Sequence, residues 1–342
     1  MNASRPAQRK VPKMSGLPIK TRAIAALQAR MSAPVSEVTD FAEHRRKRQE
    51  LVMSRAGQVL FGRPDRKVTV EEIQIPLEGR SLRTLVYRPT AVGGVRPVVV
   101  NFHGGGWVQG SPEQSGWLSG QIASLTGATV ISPSYRLAPE HPWPAAVEDS
   151  WEALAWIVAK SARLNIDPER LAVMGDSAGG NLAAIAALRA RDARAAGSRA
   201  RNVPNIRLQA LLYPSVDMYQ KFSSELRMPN EPVLTSEAMD TFAHVYMADS
   251  YGDTSWIASP LRAESHEDLP PALIVTADRD PLLDNGIIYR ETLRKAGVHV
   301  EYREYAQAVH GFLSLPGVVP AAHQAAVDIA EVIAAHIVVP TN

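Results

Sequence analysis

An α/β fold with a mostly parallel sheet flanked by helices is predicted for this chain of 342 residues. From about residue 95 onward, β-branched runs alternate with apolar stretches of helical periodicity. Glycine clusters directly follow two of these runs, where a strand must turn into a loop or a helix. The chain is 45% hydrophobic, so one large domain of this class can bury a full core.

Eight strands are predicted in chain order, each from a short apolar or alternating run. They are Val70–Ile75, Leu82–Arg88, Val98–Phe102, Thr129–Ser132, Leu171–Gly175, Leu208–Tyr213, Ala272–Ala277 and Val300–Tyr305. The first two flank Glu78-Gly79-Arg80 and are expected to form an antiparallel hairpin. The helices expected between and after the strands include Ala145–Ala159, Asn181–Arg194, Asp284–Ala296 and Ala321–His336.

Two stretches contribute no strand and are predicted to cap the sheet. They are residues 1–60, here the N-terminal cap segment, and residues from about 214 to 270, here the cap insertion, which interrupts a catalytic domain of residues 61–342. A helix is predicted near Ser236–Ala248. Apolar residues of the insertion either line a substrate pocket or pack within the cap, and they are Met218, Phe222, Met228, Leu234, Phe242 and Met247.

Gly175-Asp176-Ser177-Ala178-Gly179 lies between a predicted strand and a predicted helix. A glycine-x-serine-x-glycine string is weak evidence alone, but in this setting Ser177 falls on a sharp strand-to-helix turn. Small residues at Gly175 and Gly179 would avoid clashes there, and the serine hydroxyl would be exposed at the sheet edge. Ser177 is therefore the candidate nucleophile. The N–H of Ala178, at a helix N-terminus, is a candidate oxyanion donor.

His103-Gly104-Gly105-Gly106-Trp107 follows the third predicted strand about seventy residues upstream. Three glycines free the backbone to turn its N–H groups outward, so Gly105 and Gly106 are the other candidate oxyanion donors. The alternative is a tight loop without catalytic function. His103 is expected to brace this loop. Trp107 is a candidate substrate-binding residue, with packing in the core as the alternative.

A nucleophilic serine needs a base, and the base needs an orienting acid. His310 follows the last predicted strand, whereas His244, His266, His299, His323 and His336 are expected at surface or packing positions. Asp280 follows the seventh strand and is the candidate acid.

Three other aspartates are assigned different roles. Asp278 is expected to cap or pair locally, and Asp284 to start a helix. Asp176 is expected to brace neighbouring loops beside the substrate, not to act in catalysis. It is included with Trp107 among the candidate substrate-binding residues.

These motifs resemble those of the bacterial hormone-sensitive-lipase-like (family IV) esterases, within the α/β-hydrolase superfamily. The similar segments run in order from about residue 70 to the end of the chain: His103 to Trp107, Tyr135 to Ala146, Gly175 to Asn181, Asp280-Pro281-Leu282 and His310-Gly311-Phe312. The resemblance implies an α/β-hydrolase fold with a helical cap. It also implies Ser177, Asp280 and His310 as the triad and Gly105, Gly106 and Ala178 as oxyanion donors. Leu283 and Asn285 stand where the family often has arginine and glutamate, so an ion pair typical of the family is not expected there.

Composition narrows the remaining classes of function. The chain has no cysteine, so it has neither disulfides nor a thiol nucleophile. No metal-binding spacing of histidines and no phosphate-binding glycine loop are found, and no cofactor is expected. Residues 1–50 hold 11 Lys and Arg against 4 Asp and Glu. Their run Arg45-Arg46-Lys47-Arg48 is expected to form the solvated face of a cap helix, because no aromatic residues interleave it as in a nucleic-acid site.

Targeting and membrane signals are not evident in the sequence. Ala23-Ile24-Ala25-Ala26-Leu27 is shorter than the apolar core of a signal peptide, and no apolar run approaches the length of a membrane span. A cytoplasmic location is expected by default. An exposed last strand, Val300–Tyr305, would also permit a homodimer.

The predicted function is hydrolysis of small carboxylic esters with short to medium acyl chains, through an acyl-enzyme intermediate. No long hydrophobic lid or interfacial amphipathic helix is evident, as a lipid-surface enzyme would need. Cleavage of amides, carbamates or lactones at the same site is an alternative, because these reactions share one nucleophile and one oxyanion. A non-catalytic ligand receptor on the same fold is a second alternative. Loss of a triad member would be expected for it, whereas Ser177 and His310 are both present.

Overall fold

A single eight-stranded sheet forms the centre of the molecule in a computed structural model that describes residues 16–22, 34–91, 93–197 and 203–338. The spatial order of the strands is β1-β2-β4-β3-β5-β6-β7-β8. β1 and β2 form an antiparallel hairpin, β2 pairs antiparallel with β4, and every other pair is parallel. The predicted mostly parallel sheet and its first hairpin are therefore confirmed.

All eight predicted strands are present. Their bounds are β1 Val68–Leu77, β2 Arg80–Pro89, β3 Arg96–Phe102, β4 Thr129–Pro133, β5 Ile166–Asp176, β6 Ile206–Leu212, β7 Ala272–Arg279 and β8 Val300–Val309. β5 begins five residues before the predicted start at Leu171, because Ile166 pairs with Arg96 ahead of the buried run. β8 lies at the edge of the sheet and pairs only with β7 among the described strands.

Helices flank both faces of the sheet. Their bounds are α1 Phe41–Met53, α2 Arg55–Leu60, α3 Gly116–Thr126, α4 Ala145–Ala159, α5 Ser161–Leu164, α6 Ala178–Ala195, α7 Ser223–Arg227, α8 Ser236–Met247, α9 Leu283–Lys295 and α10 Ala321–Ile337. The helices predicted over these regions are present within a few residues of their expected bounds. Within the described residues, no helix combines the length and apolar character needed to cross a bilayer.

Two apolar clusters fill the space between the sheet and its helices. One cluster includes Val98 and Val100 of β3 with Leu182 of α6. The other includes Val99 of the same strand with Ile329 of α10. Neighbouring residues of β3 thus face opposite helix layers, because side chains alternate across a strand. This double burial explains why the central strands are continuous apolar runs in the sequence.

The cap is described in part. α1 and α2 belong to the N-terminal cap segment, and α7 and α8 belong to the cap insertion. Asp40 accepts a hydrogen bond from the backbone N–H of Glu43 and caps the N-terminus of α1. Thr235 caps α8 in the same way, through the N–H of Ala238. The run Ala23 to Leu27 lies outside the described residues. The boundaries proposed for the two cap pieces stay predictions.

Candidate active site

Ser177 lies at the turn between β5 and α6, as the strand-turn-helix pattern predicts. Its backbone has φ 56° and ψ −116°, outside the regions that non-glycine residues normally adopt. The Ser177 N–H donates to the carbonyl of Leu212, and its carbonyl accepts from Asn181 in the first turn of α6. Hydrogen bonds on both sides hold this strained residue in place, as is common where a side chain must be presented to a substrate.

Gly175 and Gly179 explain why the turn needs small residues. A Cβ on Gly175 would overlap the carbonyl of Gly179, and a Cβ on Gly179 would overlap the carbonyl oxygen of Phe102 at the end of β3. Both obstacles are backbone atoms, which have no rotamer that could relieve the clash. The close approach inferred from the sequence is therefore present at both glycines.

His310 and Asp280 complete a chain of contacts with Ser177. The His310 Nε2 lies 2.9 Å from the Ser177 Oγ, and the His310 Nδ1 lies 2.7 Å from the Asp280 Oδ2. Asp280 is fully buried, and its Oδ1 accepts from the N–H of Leu282 at 2.8 Å. The carboxylate is thus held from two sides, with one oxygen left to orient the imidazole.

The other acidic candidates do not contact His310. Asp284 lies in the first turn of α9, close to its predicted role, and its Oδ2 accepts from the N–H of Ser224. Asp278 lies within β7, two residues before Asp280, where the loop after the strand begins. Among the remaining histidines, His266 is buried against the carbonyl of Pro260, away from the candidate site.

Gly105 and Gly106 lie in the loop after β3, here the oxyanion loop, residues 103–107. Their φ angles are 129° and 62°, in the range that glycine adopts most readily. Both glycines line the same cleft as Ser177 and His310. The third predicted donor, Ala178, is the first residue of α6, where backbone N–H groups point away from the helix.

Hydrogen bonds of the His103 and Asp176 side chains hold the backbone of the oxyanion loop in place. The Nδ1–H of His103 donates to the carbonyl of Gly104, and its ring stacks on Tyr135 with centroids 4.3 Å apart. The Asp176 Oδ1 accepts from the N–H of Gly104 at 2.9 Å and from the hydroxyl of Ser115. Burial raises the pKa of Asp176, against the opposing effect of the Gly104 hydrogen bond. These contacts match the bracing roles expected for both residues.

Trp107 both lines the cleft and packs in the core. It is 4% exposed, and its ring stacks on Tyr246 with centroids 4.8 Å apart. Asp176 also borders the cleft. The structure therefore brings every predicted site residue to one region at the carboxyl ends of β3, β5, β7 and β8, although Ala178 contributes only through its position at the helix start.

Comparisons with known proteins agree with this arrangement. The sequence profile of the α/β-hydrolase fold family matches residues 99–314. Esterase LipI of Mycobacterium tuberculosis is 43% identical over 231 residues, which cover 67% of this chain and 69% of LipI. Carboxylesterase NlhH of the same organism is 38% identical over 264 residues, covering 76% and 80% of the two chains.

The chain belongs to the hormone-sensitive-lipase-like esterases of the α/β-hydrolase superfamily. It is a carboxylic ester hydrolase. A crystal structure of a thermostable esterase from Pseudomonas putida superimposes with a TM-score of 0.83 at 30% identity, covering 95% of this chain and 99% of that one. The family resemblance of the motifs, which run from about residue 70 to the end of the chain, is thus confirmed.

Cap residues of the esterase form the outer walls of the cleft. Of the six apolar residues considered for this role, Met218, Leu234 and Phe242 line the cleft. Phe222 and Met247 are 6% and 1% exposed and do not line it, in keeping with packing inside the cap. The N-terminal side supplies Arg48 and Phe61, which the sequence did not identify.

The basic run of the esterase is only partly a solvated face, so that prediction is wrong for half of it. Arg46 and Lys47 have side chains 57% and 69% exposed and pair with Glu43 on the same helix. Arg45 instead turns inward and donates to the carbonyls of Val108 and Ala138. Arg48 also turns inward. The helix period places these two residues on one face, about 60° apart, but the sequence does not show that a loop from the catalytic domain lies against that face.

Asn285 of the esterase has a structural role in place of an ion pair. It is 2% exposed, and its Oδ1 accepts from the N–H of Val216 at 3.1 Å. A partly buried ion pair nevertheless lies next to the candidate acid, formed by Arg279 and the buried Glu231 at 2.9 Å. The ion pair that connects β7 to the cap insertion is therefore formed by Arg279 and Glu231, and not by residues at positions 283 and 285.

Proposed function

We propose that Ser177, His310 and Asp280 act as nucleophile, general base and orienting acid in ester hydrolysis. The observation that carries the proposal is the continuous chain from the Ser177 Oγ through the two ring nitrogens of His310 to Asp280, at the wall of a cleft. With a proton on Nδ1 held by Asp280, Nε2 accepts the Ser177 proton as the oxygen attacks the ester carbonyl. The alcohol leaves with that proton.

Water completes the reaction in a second step. His310 takes a proton from the water as the water attacks the acyl-enzyme, and the acid is released as Ser177 regains its proton. In both steps the carbonyl oxygen carries negative charge. We propose that the N–H groups of Gly105, Gly106 and Ala178 stabilise it, because fixed donors need no reorganisation as the charge develops.

We propose that the substrates are small esters with short to medium acyl chains. Phe242 supports this size limit, because its ring lies so close to the oxyanion loop that a Cβ on Gly106 would overlap it. Leu234 and Met218 add apolar walls beside it. These side chains leave room for an acyl chain of only a few methylenes. A longer chain must bend or displace a side chain of the cap.

Hydrolysis of p-nitrophenyl esters from acetyl to palmitoyl, by the wild type and by Ser177→Ala, tests the proposal. We expect activity to peak at short to medium chains and to fall at least about 10,000-fold in the variant, as when other triad serines are removed. Ser124→Ala, outside the cleft, is the matched control and should match the wild type. Full activity in Ser177→Ala would overturn the assignment. Activity highest with palmitoyl would overturn the size limit.

The alternatives make different predictions in the same assay. An amide, carbamate or lactone hydrolase would cleave the corresponding substrate faster than any ester of the series, with the same dependence on Ser177. The location in the cytoplasm and the formation of a homodimer stay predictions, testable by cell fractionation and by sedimentation.

A further inference from the structure

Arg48 is a cationic side chain in the wall of the candidate active site. It projects from α1, a helix of the N-terminal cap segment, and borders the same cleft as Ser177 and His310. The Nε and Nη2 of Arg48 both donate to the Oε1 of Gln114, at 3.2 and 2.9 Å. Its Nη1 has no acceptor among the residues that the structure describes. The role proposed for the catalytic serine makes no use of this charge.

Two other charged side chains of the cleft have partners of opposite charge. Lys221 pairs with Asp240 at 2.7 Å and with Glu225 at 3.3 Å. Asp217 pairs with Arg262 at 2.7 Å. Arg48 has no ion pair with a described residue, and its only hydrogen-bond partner there is a neutral amide. It therefore differs from Lys221, the other basic residue of the lining apart from His310.

The position of Arg48 is fixed by its neighbours on α1. The Nε2–H of His44 donates to Gln109 at 2.8 Å, and the hydroxyl of Ser111 donates to Gln49 at 2.6 Å. With Arg45 bound to the carbonyl of Val108, one face of α1 is attached to residues 108–114 on both sides of Arg48. A guanidinium held in this way loses little conformational freedom when it binds a ligand.

Burial of the Arg48 guanidinium costs free energy of hydration, and a bound anion can offset that cost. Burial lowers the pKa of Arg48, and the negative charge of Asp176 has a smaller effect in the opposite direction. A guanidinium binds carboxylates with strong, charge-assisted hydrogen bonds. Gln114 occupies the Nε and Nη2 side of the group, and no described residue accepts a hydrogen bond from the Nη1 edge, where such a bond can form.

We propose that Arg48 selects substrates that carry a carboxylate in addition to the scissile ester. This inference rests on the proposed function and names its substrate class: half-esters of short dicarboxylic acids, or esters of short hydroxy acids. The carboxylate binds the Nη1 edge of Arg48 while the ester carbonyl lies at Ser177. Hydrolysis of a half-ester then releases a dicarboxylate.

Matched pairs of substrates test the proposal. Monoethyl succinate carries its carboxylate on the acyl side, and ethyl succinamate is its neutral counterpart of equal size. On the alcohol side, 3-acetoxypropanoate is compared with 3-acetoxypropanamide. In the wild type we expect the anionic member of at least one pair to have the higher kcat/KM. The pair that shows the preference identifies the side on which Arg48 acts.

Arg48→Met is expected to lower the ratio of kcat/KM, anionic over neutral, by about 10- to 100-fold, mainly through KM. Arg48→Lys, which keeps the charge, should retain part of the preference. A general effect on cap packing changes both esters of a pair alike and cancels in the ratio. Arg46→Met, an exposed arginine on the same helix, is the matched control and should leave the ratio unchanged.

Two outcomes would overturn the inference: no preference for the anionic ester in the wild type, or a ratio in Arg48→Met equal to that of the wild type. If Arg48→Met does not fold, the inference is tested by inhibition of the wild-type enzyme with an anionic and a neutral ligand. Butyrate should then inhibit hydrolysis of p-nitrophenyl acetate at least about 10-fold more strongly than butyramide, and equal inhibition would contradict the inference.

Hydrolysis of p-nitrophenyl acetate itself reports on the proposed function. Its absence refutes that function, whereas its presence without anion preference refutes only the role of Arg48.

Discussion

His103 shows how a residue outside the reaction can make the stability of the enzyme depend on pH. It is 2% exposed and stacked on Tyr135, and this burial lowers its pKa from 6.5 to about 4, against a smaller raising effect of the bond to Gly104. Its neutral form is therefore built into the oxyanion loop. Protonation of His103 would place a positive charge in a buried position, in the same loop as the candidate oxyanion donors Gly105 and Gly106.

Acid should therefore destabilise the protein through His103. Between pH 6.5 and about 4 the unfolded chain binds a proton that folded His103 does not, so the free energy of unfolding falls as the pH falls. We expect this group to account for a loss of about 2 kcal/mol between pH 7 and pH 5. Urea unfolding at the two pH values measures it.

His103→Gln provides the comparison for that measurement. Glutamine does not titrate, so the variant should lose about 2 kcal/mol less than the wild type over the same range, although it is less stable at pH 7. The raised pKa of Asp176 acts in the opposite direction, but it is present in both proteins. Equal losses in the two proteins would show that His103 is not the group responsible.

At the scale of elements, α8 is the part of the cap insertion that approaches the oxyanion loop. Phe242 packs against Gly106, and the next turn supplies Tyr246, which stacks on Trp107. A single helix thus contacts two consecutive residues of the loop. Its position limits the space beside the candidate donors, and the proposed limit on the size of the acyl group depends on this contact.

Phe242→Ala should open this space and shift the chain-length profile. We expect activity on p-nitrophenyl octanoate relative to p-nitrophenyl acetate to rise by about 10-fold, since each added methylene contributes up to about 0.8 kcal/mol once it can be buried. Thr241→Ala, on the same helix but outside the cleft lining, is the matched control. An unchanged ratio in Phe242→Ala would place the limit on acyl size elsewhere.

Sequence patterns predict the elements best where local geometry dictates the residue type. The turn at Ser177 requires glycines on both sides because backbone atoms approach there, so the requirement is visible in five consecutive letters. The contacts of α1 are different. Arg45 meets Val108, and Arg48 meets Gln114, across more than sixty residues of chain. A basic run that faces solvent and one with some side chains packed against the catalytic domain have the same composition. The two cases differ only in which distant segment lies beside the helix.

At the scale of the whole molecule, the edge strand β8 bears on assembly. Glu301 and Arg303 lie on it as an ion pair at 3.1 Å, and Glu304 follows. Charged side chains usually discourage pairing at an edge, but opposite charges two residues apart would be complementary if two copies of β8 paired antiparallel. The predicted homodimer therefore has a specific surface on which it can be tested.

Sedimentation at micromolar concentration should show a species of twice 37.2 kDa. Arg303→Glu would place three acidic residues within four positions of β8, and we expect it to shift the protein towards the monomer through repulsion between like charges. Lys160→Glu, at an exposed position after α4, serves as the control for the change in net charge. A wild-type protein that sediments only at 37.2 kDa would refute the dimer.

The attachments of the cap to the catalytic domain have a consequence for enzyme engineering. Helix α1 contacts residues 108–114 and α8 packs on Gly106, so two segments far apart in the sequence contact one stretch of backbone, residues 106–114. A mutation made in either helix to broaden the choice of substrate will also move that backbone. Libraries directed at the cap should therefore be screened for turnover as well as for affinity. The same stretch of backbone affects both the choice of substrate and the rate of the reaction.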